Sequence, residues 1–530
     1  MKSFKLLLKT KYVLLALLVT AAGCADLSVD NQNSPTTDQV LSSPADIESL
    51  VQTGFVSWWQ AQSDVYVNGL RVGSDVYSCS WGNFDMRNRG TEPRIPYDNN
   101  PTASSDAKNM SETPWYGIYA VLAQANDFLI QLNETDLVIP SNEDGVSDAD
   151  YTSMVEASAY LLQGLALGDI GLYFDKGFIF DETTPEEELL NLEFSTYQDI
   201  LAAADAKLAK AAQTASGLSG VTLGDNYISG YNTMDMSTEF VELVNSLRAR
   251  YMVLGARTPA ENSSIDWNTV KSFAQDGLSF DFSPVGDDEF WFSNPLLYNN
   301  HDLNFWTRTD QSIISTMDPS QPATFPTDGS DPGQATSDDE RLETDWVYNG
   351  SIPYPASRGL YFYTHYTYQR YIEHSFFTGA FGPMPHILKA ENDLMFAEAV
   401  ARTNDAANYS AAAQAINNTR EGRGGLDPIL ATDFGTGTAL DAIRYEREIE
   451  LFNSGFMQAT GDRRRFGELQ TGSLLHYPVP AKELLILQQE LYTFGGVNNA
   501  GQDGTASKLQ NNPFDIPLKS VKEVEIPSEF

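Results

Sequence analysis

Apolar residues at helical spacing recur in separated blocks along this 530-residue chain, and that pattern constrains the fold more than any other feature. In one block Val155, Ala159, Leu162 and Ala166 fall at i, i+4, i+7 and i+11. Ser147 to Asp150, just before it, has the spacing of a capping box. A second block sets Phe240, Leu243, Leu247, Tyr251 and Leu254 on one face, and a third, residues 390–402, aligns Leu394, Ala397 and Ala401. Shorter blocks cover residues 115–132, 194–212, 267–278, 409–420 and 439–452. Many carry alanine at facing positions, which lets helices approach closely. Helices paired through small residues predict a mainly α fold, a helical-repeat scaffold with little β structure. No strict repeat of about 34 residues can be read, so any repeat is degenerate or interrupted.

Between the blocks lie two long irregular stretches, residues 56–114 and 279–385, dense in Trp, Tyr, Phe, Pro, Gly and Asn. Loops of this length inside a compact protein tend to carry function. Trp58 and Trp59 follow a helical stretch and read as core. The N-terminal end has a different logic. Lys2, Lys5, Lys9 and Lys11 precede a short apolar run from Tyr12 to Val19 and then Thr20-Ala21-Ala22-Gly23-Cys24. This is the layout of a secretory signal, too short for a membrane-spanning helix of about 20 residues. The Ala-Gly-Cys ending resembles a bacterial lipoprotein site, with Ala21 where that pattern usually has Leu. The expected organisation is a signal peptide over 1–23, a lipidated Cys24 with a polar tether over 24–45, and a single domain over 46–530. Cys79 would then be the one remaining cysteine, so no intrachain disulfide can form.

The formal net charge of −39 argues against a nucleic-acid partner, which needs a basic stripe, and against anionic lipid surfaces. Catalytic signatures are absent: the five His residues form no His-Glu-x-x-His, and there is no Gly-x-Ser-x-Gly elbow and no P-loop. Among 72 acidic residues a glycosidase carboxylate pair leaves no mark in sequence, because it is defined by separation in space. The expectation is a chain that is not an enzyme and carries no cofactor or metal. Asp148-x-Asp150 and Asp287-Asp288-Glu289 are the places where structural calcium could sit, although turns and helix caps account for them more simply.

Several segments, in order, resemble the SusD/RagB family of nutrient-binding surface lipoproteins. They are Asp225-Asn226-Tyr227 leading to the helix Phe240–Arg250 with its Asn245-Ser246-Leu247, Glu391–Ala399 with Ala397-Glu398-Ala399, and Ala415–Arg420 followed by Arg423-Gly424-Gly425. Next come Ile443–Leu451, the basic turn Asp462-Arg463-Arg464, and Tyr477-Pro478-Val479-Pro480. The family's C-terminal ending is only loosely echoed, by Gln510-Asn511-Asn512-Pro513. Within one of these segments Arg447 and Glu450 are spaced i, i+3, and Arg444 and Glu448 i, i+4, as structural helix pairs would be.

The resemblance implies a SusD-like scaffold of TPR-type helix pairs whose loops bind ligand. It also implies non-catalytic capture of an oligo- or polysaccharide. The partner would be a SusC-like TonB-dependent transporter, with this chain as its lid, anchored by lipid in the outer membrane and facing the cell exterior. Some members of the family bind peptides, and a surface glycoside hydrolase is a further alternative. Sugar binding needs flat aromatic faces for the C–H side of a pyranose and polar partners for its hydroxyls. Two clusters supply them. One holds Trp81, Asn83, Phe84, Asp85 and Arg87; the other holds Trp291, Tyr298, Asn299 and Trp306. Trp81 and Trp306 would form the stacking platform. A third aromatic run, Tyr361–Tyr366, reads as a strand or packed loop.

Overall fold

A computed structural model describes residues 43–63, 68–287, 289–292, 307–374 and 381–507. The chain divides after Ile47, within the first helix, and the unit Glu48–Phe530 holds the rest of the described structure. Ten helices form its frame: α1 (Pro44–Ser63), α2 (Ser105–Glu134), α3 (Asp148–Tyr173), α4 (Tyr197–Ala215), α5 (Val241–Gly255), α6 (Trp267–Gln275), α7 (Lys389–Thr403), α8 (Tyr409–Arg420), α9 (Thr438–Ile449) and α10 (Gln458–Phe466). They pack in a chain of neighbours, α2 on α3, α3 on α4, α4 on α5, α5 on α6, α6 on α7 and α7 on α8. This is the mainly α helix-pair scaffold that the periodicity predicts.

The helix starts follow local chemistry. Ser147 Oγ accepts the Asp150 N–H at 3.1 Å and caps α3 at the expected position. Thr196 does the same for α4 and Asp266 for α6. Helix α2 begins ten residues before the block read from sequence. It is capped by Ser104 and runs straight through Pro114, whose missing N–H breaks the pattern on paper but not the helix. Helix α3 is buried almost all round from Tyr151 to Tyr173, so the single stripe seen in sequence understates its burial. Close approach to α3 is provided by glycine more than by alanine. A Cβ at Gly164 would stand 2.5 Å from the Leu208 side chain on α4, and one at Gly168 would run into the Tyr251 ring on α5.

Trp58 and Trp59 are each 1% exposed, in the core as read. The Trp58 indole donates to Asp169 Oδ2 at 2.8 Å. The helix-spaced charges do not pair with one another but staple their helix to its neighbours. Arg447 reaches Asp462 on α10 at 2.9 Å, Arg444 reaches Glu468, and Glu448 meets Arg463 at 2.5 Å. Glu450 is held by Arg341, Arg370 and Arg423 at 3.1, 2.9 and 2.7 Å. Arg341 in turn binds Asp339 and Glu446, all three with fully buried side chains. These charges tie separate segments together instead of decorating one helix face.

The strands are short, and two of their three pairings lie in the long loops. β1 (Tyr77–Ser78) pairs with β4 (Arg308–Thr309), β2 (Lys176–Gly177) with β3 (Ser195–Thr196), and β5 (Trp346–Tyr348) with β6 (Tyr366–Tyr368), all antiparallel. Among the described residues no helix is long and apolar enough to cross a membrane. Cys24 and the expected signal and tether lie outside the described residues, apart from the tether's last three positions.

Candidate functional site

The two long irregular stretches meet at β1 and β4, where Tyr77 pairs with Thr309 and Ser78 with Arg308. Ser78 then fastens the third aromatic run. Its hydroxyl donates to the Phe362 carbonyl at 2.6 Å, and the Tyr354 hydroxyl donates to the Ser78 carbonyl at 2.8 Å. Trp346 Nε1 donates to Thr309 Oγ1 at 3.1 Å and locks β5 to β4. Segments more than 200 residues apart in sequence therefore converge within three residues of Trp81.

Trp81 is half-buried against an apolar cluster that includes Met86, Trp346 and Tyr368. The Arg358 guanidinium lies 4.7 Å from its ring centroid, so one face of the indole is already covered by a cation. Arg358 is fixed by donating to the Ser80 carbonyl at 3.0 Å. The Trp81 indole nitrogen is buried and has no partner among the described residues. The next turn is strained: Phe84 and Asp85 both adopt left-handed backbone, with φ of 54° and 55°. Side chains other than glycine pay about 1–3 kcal/mol each for such conformations, which persist where surrounding contacts enforce them. Here the Trp81 carbonyl accepts the Arg87 N–H at 2.9 Å and closes the turn.

That turn sorts the first cluster of expected ligand residues. Asn83 and Arg87 are exposed, and Phe84 is half-buried beside Trp81. Asp85 is only 4% exposed; it accepts from Asn88 at 2.6 Å and pairs with Arg89 at 3.2 Å. Burial pushes its carboxyl above the usual range despite Arg89. Asp85 thus holds the turn and offers no free oxygen face to solvent.

The second cluster separates from the first. Trp291 is 5% exposed, with its ring 5.6 Å from Trp59, whose indole donates to the Phe292 carbonyl. A tryptophan closed in this way presents no face to a sugar. Tyr298, Asn299 and Trp306 lie outside the described residues, as does Asp288. Asp287 Oδ1 accepts the N–H groups of Glu289, Phe290 and Trp291 at 2.9, 2.8 and 2.7 Å, which makes it a turn cap. Asp148 and Asp150 occupy the first turn of α3, Asp150 against Ser147 and Asp148 accepting from the Ser141 N–H. Arg358 was missed by sequence reasoning. It stands between Pro355 and Gly359 in a stretch with no motif, and only its position over Trp81 marks it. The half-buried Tyr361 donates its hydroxyl to the Arg358 carbonyl at 3.2 Å, and the half-buried Tyr348 packs against the same apolar cluster as Trp81. Beneath, Cys79 is fully buried and burial pushes its thiol up to about 12, so it is an inert core residue.

Comparison with known proteins bears on the fold. No curated protein matches the chain. Among solved structures, a SusD superfamily protein from Bacteroides vulgatus superposes with a TM-score of 0.51 at 16% identity, over 81% of this chain and 89% of its own. A SusD-like carbohydrate binding protein from the same organism gives 0.51 at 14% identity, over 80% and 83%. A SusD superfamily protein from Bacteroides thetaiotaomicron gives 0.51 at 15%, over 84% and 97%. At these identities the likeness is one of fold. Residues 264–471, which hold β4, β5, β6, Arg358 and the buried ion network, match the model of the SusD family. Over residues 264–471 the chain is thus similar to the SusD family, and the described body shares the fold of SusD-like proteins.

Proposed function

We propose that the protein captures an oligo- or polysaccharide at the cell surface without reacting with it, and passes it to a SusC-like TonB-dependent transporter. The observation that carries this reading is the convergence of distant aromatic segments on Trp81 through the β1–β4 pairing. A pyranose would lay its C–H face on the indole face opposite Arg358, and the exposed Asn83 and Arg87 would meet its hydroxyls. Arg358 behind the ring keeps the indole from turning, which lowers the entropy lost on binding. The aromatic surface favours an uncharged ligand, since such ligands depend on apolar faces with a few placed polar groups. A carbohydrate-binding protein among the solved relatives of the same fold supports the ligand class.

In this reading Cys24 carries lipid, the polar stretch to residue 45 is the tether, and the body acts as a lid on the transporter in the outer membrane. Binding without catalysis predicts that a glycan array retains the purified protein on at least one polysaccharide and that no reducing sugar is released from it. Retention by peptides alone would replace glycan with peptide capture, and released sugar would make the protein a hydrolase.

A further inference from the structure

Where the C-terminal ends of α3, α5 and α10 meet the start of α4 lies a cavity of about 680 Å³ that shares no residue with the aromatic surface around Trp81. Arg257, Arg464 and His476 line it and are 2%, 1% and 7% exposed. The two guanidiniums serve the frame. Arg257 Nη2 donates to the Gly171 and Phe174 carbonyls at 2.7 and 2.6 Å, and Arg464 donates to those of Leu172, Leu254 and Leu475 at 3.0, 2.7 and 2.8 Å. The Nε–H of each is sealed from the cavity, so neither arginine presents a donor to a ligand.

His476 differs. Arg257 Nη1 meets its Nδ1, and because a guanidinium only donates, Nδ1 must accept. Burial and the two guanidiniums keep the ring neutral. The ring proton therefore sits on Nε2. Nε2 has no hydrogen-bond partner among the described residues, yet unlike the arginine Nε atoms it is not closed off from solvent. It is a neutral donor on a side chain more than nine-tenths buried in the cavity lining. The groups beside it are apolar. Phe494 stands edge-on to the imidazole, with ring centroids 5.0 Å apart and planes at 87°. Leu475 is half-buried and Leu469 is 2% exposed. Gln198, Gln502 and Asp503 line the same space, are exposed, and make no side-chain hydrogen bond to another described residue. Lys176, Arg257 and Arg464 are matched by Asp175, Glu261 and Asp503, so the lining carries no formal net charge.

We propose that this cavity is a second sugar site, selective for an N-acetylated sugar, with the acetamido carbonyl accepting from His476 Nε2–H and the acetamido methyl lying against Phe494, Leu469 and Leu475. A single neutral donor with apolar neighbours matches an amide carbonyl and its methyl. A carboxylate calls instead for charged, paired donors. The volume falls within the range of small-molecule sites, about 300–1,000 Å³. Gln198, Gln502 and Asp503 supply partners for ring hydroxyls. The choice of a sugar rests on the glycan-capture reading, whereas the choice of an acetamide rests on His476.

Calorimetry of the purified full chain with N-acetyl-D-glucosamine, D-glucose, D-glucuronate and trialanine tests this. N-acetylglucosamine is expected to bind at least about tenfold more tightly than each of the others, a difference of about 1.4 kcal/mol. His476→Asn keeps an acceptor for Arg257 but loses the Nε2–H, and it should erase that preference. Gln502→Trp is the companion variant. It adds bulk at an exposed lining position, leaves His476 and both arginines intact, and should weaken N-acetylglucosamine by about tenfold or more. Nitrogen-15 NMR of the parent should show the His476 Nε2 resonance move when N-acetylglucosamine is added. Trp81→Ala should leave this binding unchanged, so the cavity and the Trp81 surface can fail separately. Equal affinity for N-acetylglucosamine and glucose, tighter binding of glucuronate or trialanine, or an unmoved His476 resonance would each overturn the proposal.

Discussion

At the scale of residues, most buried charge in this protein serves the frame, and its energetics follow from who is left unpaired. Arg341 satisfies Asp339, Glu446 and Glu450 with its own side chain fully buried. Arg341→Met should cost about 3–5 kcal/mol in urea unfolding, because the buried Asp339 and Glu446 lose their close cation while Glu450 keeps Arg370 and Arg423; a loss under about 1 kcal/mol would mean the pocket rehydrates. Asp169 is a different case. Burial raises its carboxyl to about 6, against the donors Trp58, Tyr251 and Gln62 that favour the charged form. A folded-state value above the unfolded one contributes stability that is full below about pH 4 and is lost as pH rises through about 6. Carbon-13 NMR of the aspartate carboxyls should show one titrating near 6 that is missing in Asp169→Asn; if none titrates above 5, the assignment fails. Little of this was legible in sequence. The spacing of Arg447 and Glu450 suggested a pair, but partners on α10 and in the 339–345 segment lie 15 and about 100 residues away and outcompete the local geometry.

Elements were far more legible than contacts. Apolar spacing located α5, α7 and α8 almost to the residue, because each buries a stripe against its neighbours. It cut α2 short at Pro114 and gave α3 one apolar face, when α3 is packed on nearly every side. A helix buried all round loses its period, so the pattern carries less information where burial is greatest. The glycines of α3 show what that packing demands. Gly168→Ala improves helix propensity by about 1 kcal/mol yet forces a methyl into the Tyr251 ring. Overpacking should win, and thermal unfolding should report a net loss of about 1–2 kcal/mol; a stabilised variant would show that α5 can shift away. Strand pairing was the part sequence could not supply. β1 and β4 are two residues long and 230 positions apart, so neither carries an alternation to read.

For the whole molecule, the scaffold and the aromatic surface come from different parts of the chain. Helical repeats give a rigid frame, and the excursions between them meet over a patch of aromatic side chains. Sequence named Trp81, Asn83 and Arg87 on that patch but not Arg358, and it grouped Trp291 with ligand residues when Trp291 fills the core against Trp59. The reason is physical: composition flags aromatic loops, while only the fold decides which rings keep a free face. If the body is a lid on a transporter, purification from native outer membranes should bring down a large β-barrel with it, and its repeated absence would defeat that model. The central claim is that Trp81 is the stacking face. Calorimetry of the parent and Trp81→Ala with the polysaccharide selected on a glycan array tests it most directly. The account predicts at least about tenfold weaker binding for a variant that keeps the parent's helical circular dichroism, roughly the worth of one aromatic contact. Equal affinity in the two proteins would contradict it and move the site elsewhere.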